Sequence, residues 1–250
     1  MPRPGRLMSP GTASSRQPPQ QQRTGRPARP PAPAVLVVSY EGAGGSAVSH
    51  LLNLVPGVSH HHLPLAALDE EGVHSGIEPL APAALSAGLQ LLDDILRCNL
   101  TARAPLFRAE ELWRQHALRT VLLRQCVPQN VSVAGCMERV CRAASTVSAH
   151  LIRPMVADLA PLLVRWRPRL RLLLVQRDPR AVLASRRRRG RGLKLVTKED
   201  WRQAARALCS RMLHDVESAD REEAAQPGLR KVVVYEHLME VCTHRRHDMH

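Results

Sequence analysis

Two short stretches carry residue types suited to anion chemistry. The first is Gly42-Ala43-Gly44-Gly45-Ser46, set between a Val-rich run and a helix-period run. A Gly-rich turn of this kind aims backbone N–H groups at one point, and the helix N-terminus behind it adds about half a positive charge. An anion fits there, although tight corners are built the same way and both readings stay open. The second is Arg177-Asp178-Pro179-Arg180, directly after the strand-like stretch Leu170 to Gln176. A guanidinium at a strand end forms charge-assisted, often bidentate bonds to phosphate; an ion pair of Arg177 with Asp178 is the plainer alternative. A third stretch, His60-His61-His62, invites a metal, but no Cys-x-x-Cys or His-Glu-x-x-His spacing supports it. These histidines are expected in an irregular loop spanning residues 59–82, and no metal is expected.

The elements that would position these groups follow from hydrophobic period. Ala34 to Ser39 reads as a buried strand. Ala47, Val48, Leu51, Leu52 and Val55 fall at helical spacing up to Pro56-Gly57. Residues 83–98 and 109–125 read as helices, and Gly135 to Ser145 as a looser one. Val147 to Ile152 reads as a short strand, Val156 to Val164 as a helix and Leu170 to Gln176 as a buried strand. Ala181 to Arg189 follows as a helix, with Asp178 as its cap and Pro179 in its first turn. Trp201 to Val216 is another helix and Lys231 to Tyr235 a last strand. Strands alternating with helices predict an α/β fold, a parallel sheet flanked by helices. Ligands sit at the carboxyl ends of such strands, where both the Gly-rich turn and Arg177 fall.

Charge divides the chain further. Its 250 residues carry a formal charge of +14. Residues 1–34 hold six Arg, nine Pro and no acid, and residues 165–191 hold eleven Arg and one Asp; the remainder is −2. The first segment cannot bury enough surface to offset its ordering entropy, so residues 1–33 are expected to be a disordered Pro/Gln/Arg-rich tail ahead of one domain, 34–250. The block Arg186 to Arg189 is expected to form a solvated helix face. With one Phe, two Tyr and three Trp in the chain, base-stacking platforms for nucleic acid are not expected. Apolar runs such as Val35 to Val38 and Leu172 to Val175 span four residues and none exceeds five, against roughly 20 for a membrane span. No secretory signal is visible either.

The run Leu173-Leu174-Val175-Gln176-Arg177-Asp178-Pro179-Arg180-Ala181-Val182-Leu183-Ala184-Ser185-Arg186 resembles the 3′-phosphate-binding segment of Golgi carbohydrate sulfotransferases, in the branch that sulfates the 6-hydroxyl of N-acetylglucosamine, galactose or N-acetylgalactosamine. Other positions agree in order. Glu78-Pro79-Leu80 looks like the family's Glu-Pro-Leu, Arg97-Cys98-Asn99 like its Arg-Cys-Asp, and Val234-Tyr235-Glu236-His237-Leu238 like its Tyr-Glu-Asp-Leu. Leu159-Ala160-Pro161-Leu162-Leu163 matches the helix before its binding strand. The resemblance implies a P-loop-like α/β fold that uses 3′-phosphoadenosine-5′-phosphosulfate (PAPS) as sulfuryl donor and a glycan as acceptor. It implies that Arg177 and Ser185 hold the 3′-phosphate and that Gly44, Gly45 and Ser46 cradle the 5′-phosphosulfate. Glu78 would be the base that deprotonates the sugar hydroxyl. His150 stands where the family usually has a catalytic Lys.

The chain departs from the family where Gly42 replaces the basic residue of the Arg-Ser-Gly-Ser-Ser-Phe loop, and it ends soon after Tyr235-Glu236. The resemblance therefore implies a domain incomplete at its C-terminus, without the family's N-terminal anchor. A catalytically inactive relative that binds nucleotide or glycan is the alternative that Gly42 favours; a basic nucleic-acid-binding protein is a third. Golgi lumenal residence is implied by the family, and the sequons Asn99-Leu100-Thr101 and Asn130-Val131-Ser132 suit it. Cys126, Cys136, Cys141 and Cys209 are candidates for lumenal disulfides with the pairing open.

Overall fold

The structure, a computed structural model, describes residues 32–68, 80–106, 132–188 and 197–240. Five strands make one wholly parallel sheet: β1 (Ala34–Val38), β2 (Val58–His62), β3 (Thr146–Leu151), β4 (Leu170–Gln176) and β5 (Arg230–Val234). Their order is β2-β3-β1-β4-β5, with β1 at the centre. The helices are α1 (Gly45–Leu54), α2 (Pro82–Leu96), α3 (Val133–Ala143), α4 (Ala160–Arg165), α5 (Pro179–Arg188) and α6 (Lys198–Ala225). A last helix, α7, covers residues 235–240. The expected α/β class is therefore observed. The expected helix over 109–125, the arginine at 189 and most of the tail lie outside the described residues.

Alternation along the central strands sorts the two faces. Val37 of β1 and Val175 of β4 are buried with Val48 of α1, and Val233, Leu52 and Leu238 pack against them. The opposite face carries Leu36, Val38, Leu172 and Leu174, buried with Leu91, Leu92 and Ile95 of α2, Cys136 of α3, Leu163 of α4 and Ala219 of α6. Period-2 strands between two helical layers thus bury both faces, as an all-parallel sheet requires. The helix that leaves β1 lies on one face and α6, which leads to β5, on the other. The connections part between β1 and β4, and a crevice opens at that point of such sheets.

Three elements differ from expectation. Residues 59–62 are not irregular: His60, His61 and His62 form most of the edge strand β2, pairing with Ser148, Ala149 and His150 of β3. Three consecutive polar residues hide a strand from any hydrophobic pattern, yet His60 and His61 are each 3% exposed. The helix expected from Trp201 begins at Lys198, where Thr197 and Asp200 form a reciprocal capping box, and it continues to Ala225 over 28 residues. Arg186 does not belong to a solvated face; it is 2% exposed and its Nε donates to Glu41 O at 2.7 Å.

The cysteine pairing left open by sequence is now partly settled. Cys98 bonds Cys141, tying the end of α2 to α3. Cys136 is disulfide-bonded as well, whereas Cys209 is a free, exposed thiol. Among the described residues no helix is long and apolar enough to cross a membrane.

Candidate functional site: the corner between β1 and β4

The corner between the two strands is built on the turn that follows β1. Gly42 and Gly44 have φ of 89° and 92°, the left-handed region that glycine enters without steric cost. Gly44 is the N-cap of α1; it offers no side-chain cap, and the first turn carries no acid. The positive end of that helix is therefore not offset locally. Ser46 stands exposed in this turn, while Gly45 is buried beneath it. A Cβ on Gly45 would run into Ser39 and His150, and one on Gly44 into the ring of Tyr235.

Three side chains from the other half of the sheet hold this turn residue by residue. Tyr40 Oη donates to Asp215 Oδ2 of α6 at 2.8 Å, Arg186 Nε to Glu41 O at 2.7 Å, and Arg177 Nη1 to Gly42 O at 2.9 Å. Asp215 also accepts from Val156 N at 2.7 Å. Burial, then the Asp215 carboxylate, push the Tyr40 phenol upward, so it stays protonated and donating. Tyr40, Ala43, Val182, Leu183, Ala204 and Leu208 form a small apolar core of their own. It fixes α5 and the first half of α6 against the turn.

Arg177 leaves β4 and bends back over the turn, onto Gly42 O. Its guanidinium lies 4.5 Å from the centre of the Tyr235 ring, and Nε is 3.8 Å from the Glu236 carboxylate. The plainer alternative, an ion pair of Arg177 with Asp178, is not formed. Asp178 instead binds Arg180, with Nη2–Oδ2 at 2.6 Å, and accepts from Arg180 N at 2.8 Å as the cap of α5. Hydrogen bonds from Arg180 hold the Asp178 carboxyl down to about 2. Ser185 comes to the same glycine from α5. A Cβ on Gly42 would lie 3.0 Å from Val182 O, 3.4 Å from Ser185 Cβ and 3.5 Å from Ser185 Oγ. Arg177 and Ser185, eight positions apart, therefore flank one turn.

On the far side of the turn lies an imidazole chain. His150 Nε2 is 2.7 Å from Ser39 Oγ, and its Nδ1 is 3.2 Å from His62 Nδ1. His60 Nδ1 is 2.8 Å from Ser148 Oγ. Burial above all, then the neighbouring His62 and His60, holds His150 well below the ordinary histidine range. It is a neutral hydrogen-bonding group here and supplies no positive charge. Burial lowers His60 to about 3 and His61 to about 4. No group of three or more metal-ligating side chains is placed to hold an ion among the described residues.

Of the residues singled out by sequence, Gly44, Gly45, Ser46, His150, Arg177 and Ser185 meet around this turn; Glu78 lies outside the described residues. Sequence reasoning did not single out Ser39, Asp215 or the inward role of Arg186. Ser39 could have been found from its place immediately after β1. Arg186 and Asp215 carry no local signal. Tyr235 and Glu236 stood in a matched motif, but their contacts with Arg177 come only from the fold. No protein-family model matches the chain, and no curated protein matches it.

Proposed function

We propose that this chain transfers a sulfuryl group from PAPS to a hydroxyl, the 6-hydroxyl, of a sugar in a glycan. The observation that supports this most is the convergence of Arg177, Ser185 and the uncapped Gly44–Ser46 turn at the β1–β4 corner. In this reading Arg177 and Ser185 bind the 3′-phosphate, and the N–H groups that open α1 receive the 5′-phosphosulfate. The sugar oxygen attacks sulfur in line. One S–O bond forms as the bridging S–O bond breaks, the hydroxyl proton passes to a carboxylate, and the adenosine bisphosphate leaves with the electron pair. Glu78 is the carboxylate that the resemblance assigns. His150, being neutral, keeps Ser39 and the turn in place rather than balancing charge on the leaving group. No metal takes part in this scheme.

A second reading is a nucleotide- or glycan-binding relative without transfer activity, and Gly42 favours it. The turn adopts a left-handed φ at Gly42, with Val182 O close to where a Cβ would stand. The family's arginine could not be restored there without strain. Loss of one preorganised stabilising contact typically costs about 10²–10³ in rate.

Residence in an oxidising lumen, such as that of the Golgi, accords with the Cys98–Cys141 bond. Calorimetric titration with adenosine 3′,5′-bisphosphate tests the corner. Binding is expected, and Arg177→Ala should weaken it about 10–100-fold, the range of a charge-assisted hydrogen bond of roughly 1.5–3 kcal/mol. An unchanged affinity in Arg177→Ala, or no binding by the parent chain, would remove the assignment. A donor-to-glycan transfer assay on the same protein separates the enzyme from the inactive relative.

A further inference from the structure

Helix α5 has two working faces, and only one belongs to the corner. Val182, Ser185 and Arg186 turn towards the Gly-rich turn. The other face opens on a groove of about 700 Å³ lined by Arg180, Leu183, Ala184, Arg187 and Arg188 of α5 and Trp201 of α6. Arg187 lies over the indole at 5.9 Å, a distance at which ring and cation attract. Arg180 shares its charge with Asp178. Among the described residues no carboxylate is paired with Arg187 or Arg188; Glu199, near the start of α6, is taken by Arg202 at 3.3 Å.

We propose that this groove is a second binding site, for a sulfated or carboxylated sugar chain, separate from the corner where transfer is proposed. Three features select that ligand. Arg180 and Arg187 are seven positions apart, about 10 Å along the helix, which suits charges repeated along a polymer better than one small anion. Leu183, Ala184 and the indole supply an apolar floor, and the C–H face of a sugar ring stacks on a single indole while its acidic substituents meet the guanidinium groups around it. Single-stranded nucleic acid draws its affinity from several bases on several aromatic rings; the groove has one. The Cys98–Cys141 disulfide also belongs to oxidising compartments, where anionic glycans are abundant and nucleic acids are not.

The groove and the corner sit on opposite sides of one helix about 10 Å across. A chain anchored by Arg187 and Arg188 is thus held beside the corner without occupying it. The inference needs no sulfuryl transfer: bisphosphate binding reports the corner and sugar binding reports the groove, so either can fail alone.

The experiment is titration of the full chain with a heparin-derived hexasaccharide at several salt concentrations, by calorimetry and tryptophan fluorescence. The parent chain should bind. Arg187→Ala with Arg188→Ala should weaken binding at least tenfold and reduce the slope of log affinity against log salt by about two, one for each lost cation. Trp201→Phe should abolish the ligand-dependent fluorescence change. Arg165→Ala with Arg171→Ala removes the same charge from exposed positions at the end of α4 and in β4 and should change affinity less than twofold. Four results would overturn the proposal: no binding by the parent chain, equal losses in the two double variants, a fluorescence response that survives Trp201→Phe, or tighter binding of a thymidine hexanucleotide with the same dependence on Arg187 and Arg188.

Discussion

Gly45→Ala sets two physical effects against each other at one atom. Helix propensity favours alanine over glycine by up to about 1 kcal/mol, and Gly45 is the first residue of α1. Packing opposes it, because the added Cβ collides with Ser39 and with His150 Nε2. Ser39 is 0% and His150 1% exposed, so neither has open space to enter. Overpacking of a tight interior costs about 1–3 kcal/mol. Separating the 2.7 Å Ser39–His150 pair leaves two buried groups unsatisfied, at about 1–3 kcal/mol more. The net expectation is a loss of about 1–5 kcal/mol in urea unfolding, read from the midpoint at constant slope. In a Ser39→Ala background the hydrogen bond is already gone, so Gly45→Ala should cost at least about 1 kcal/mol less; contacting residues are coupled in this way. A Gly45→Ala protein as stable as its parent within 0.5 kcal/mol, or more stable, would mean that propensity outweighs packing and that the turn is not seated on His150 as described.

Two further outcomes follow from groups away from the turn. His60 and His61 have folded values lowered to about 3 and 4, with burial the first cause. The unfolded chain therefore takes up protons that the folded chain refuses below about pH 6.5. Their stability contribution is complete above that pH and is lost as pH falls, by about 1.4 kcal/mol per unit for each histidine, which amounts to roughly 3 kcal/mol for His61 down to pH 4. Urea unfolding at stepped pH should show this decline, and a flat profile between pH 6.5 and 4.5 would contradict the burial. Replacing both Cys98 and Cys141 by Ser opens a link between positions 43 apart; chain entropy puts the loss at about 4 kcal/mol, and a thermal unfolding shift equivalent to less than 1 kcal/mol would show that the bond contributes little.

The main frame was open to inspection because its signals are local. Leu170 to Gln176 announces itself by the apolar run Leu172 to Val175 within it, and β4 has the bounds expected. Asp178 and Pro179 announce the start of α5, and Asp178 does accept from Arg180 N. Strand β2 was not legible, since three histidines match neither period; they are strand residues because β3 offers them parallel partners and α1 covers them. The basic run beginning at Arg186 misled for a related reason. Composition suggests a wetted face, while helical period turns Arg186 inward to Glu41 O and sends Arg187 out over Trp201. Cys98 was not among the pairing candidates, and its bond to Cys141 was not legible, because partners 43 positions apart leave no mark in spacing.

By itself the amino-acid sequence determined an α/β chain with a Gly-rich turn after its first strand and an arginine after a later one, since hydrophobic period and turn chemistry act over a few residues. Only the tertiary structure decided that the two meet. Strand order 2-3-1-4-5 makes β1 and β4 neighbours, which places Arg177 and Ser185 on Gly42, Tyr235 on Gly44 and His150 under Gly45. Those contacts join residues more than a hundred positions apart, and their energies arise from close packing and from desolvated polar groups. Such quantities exist only once the sheet has assembled.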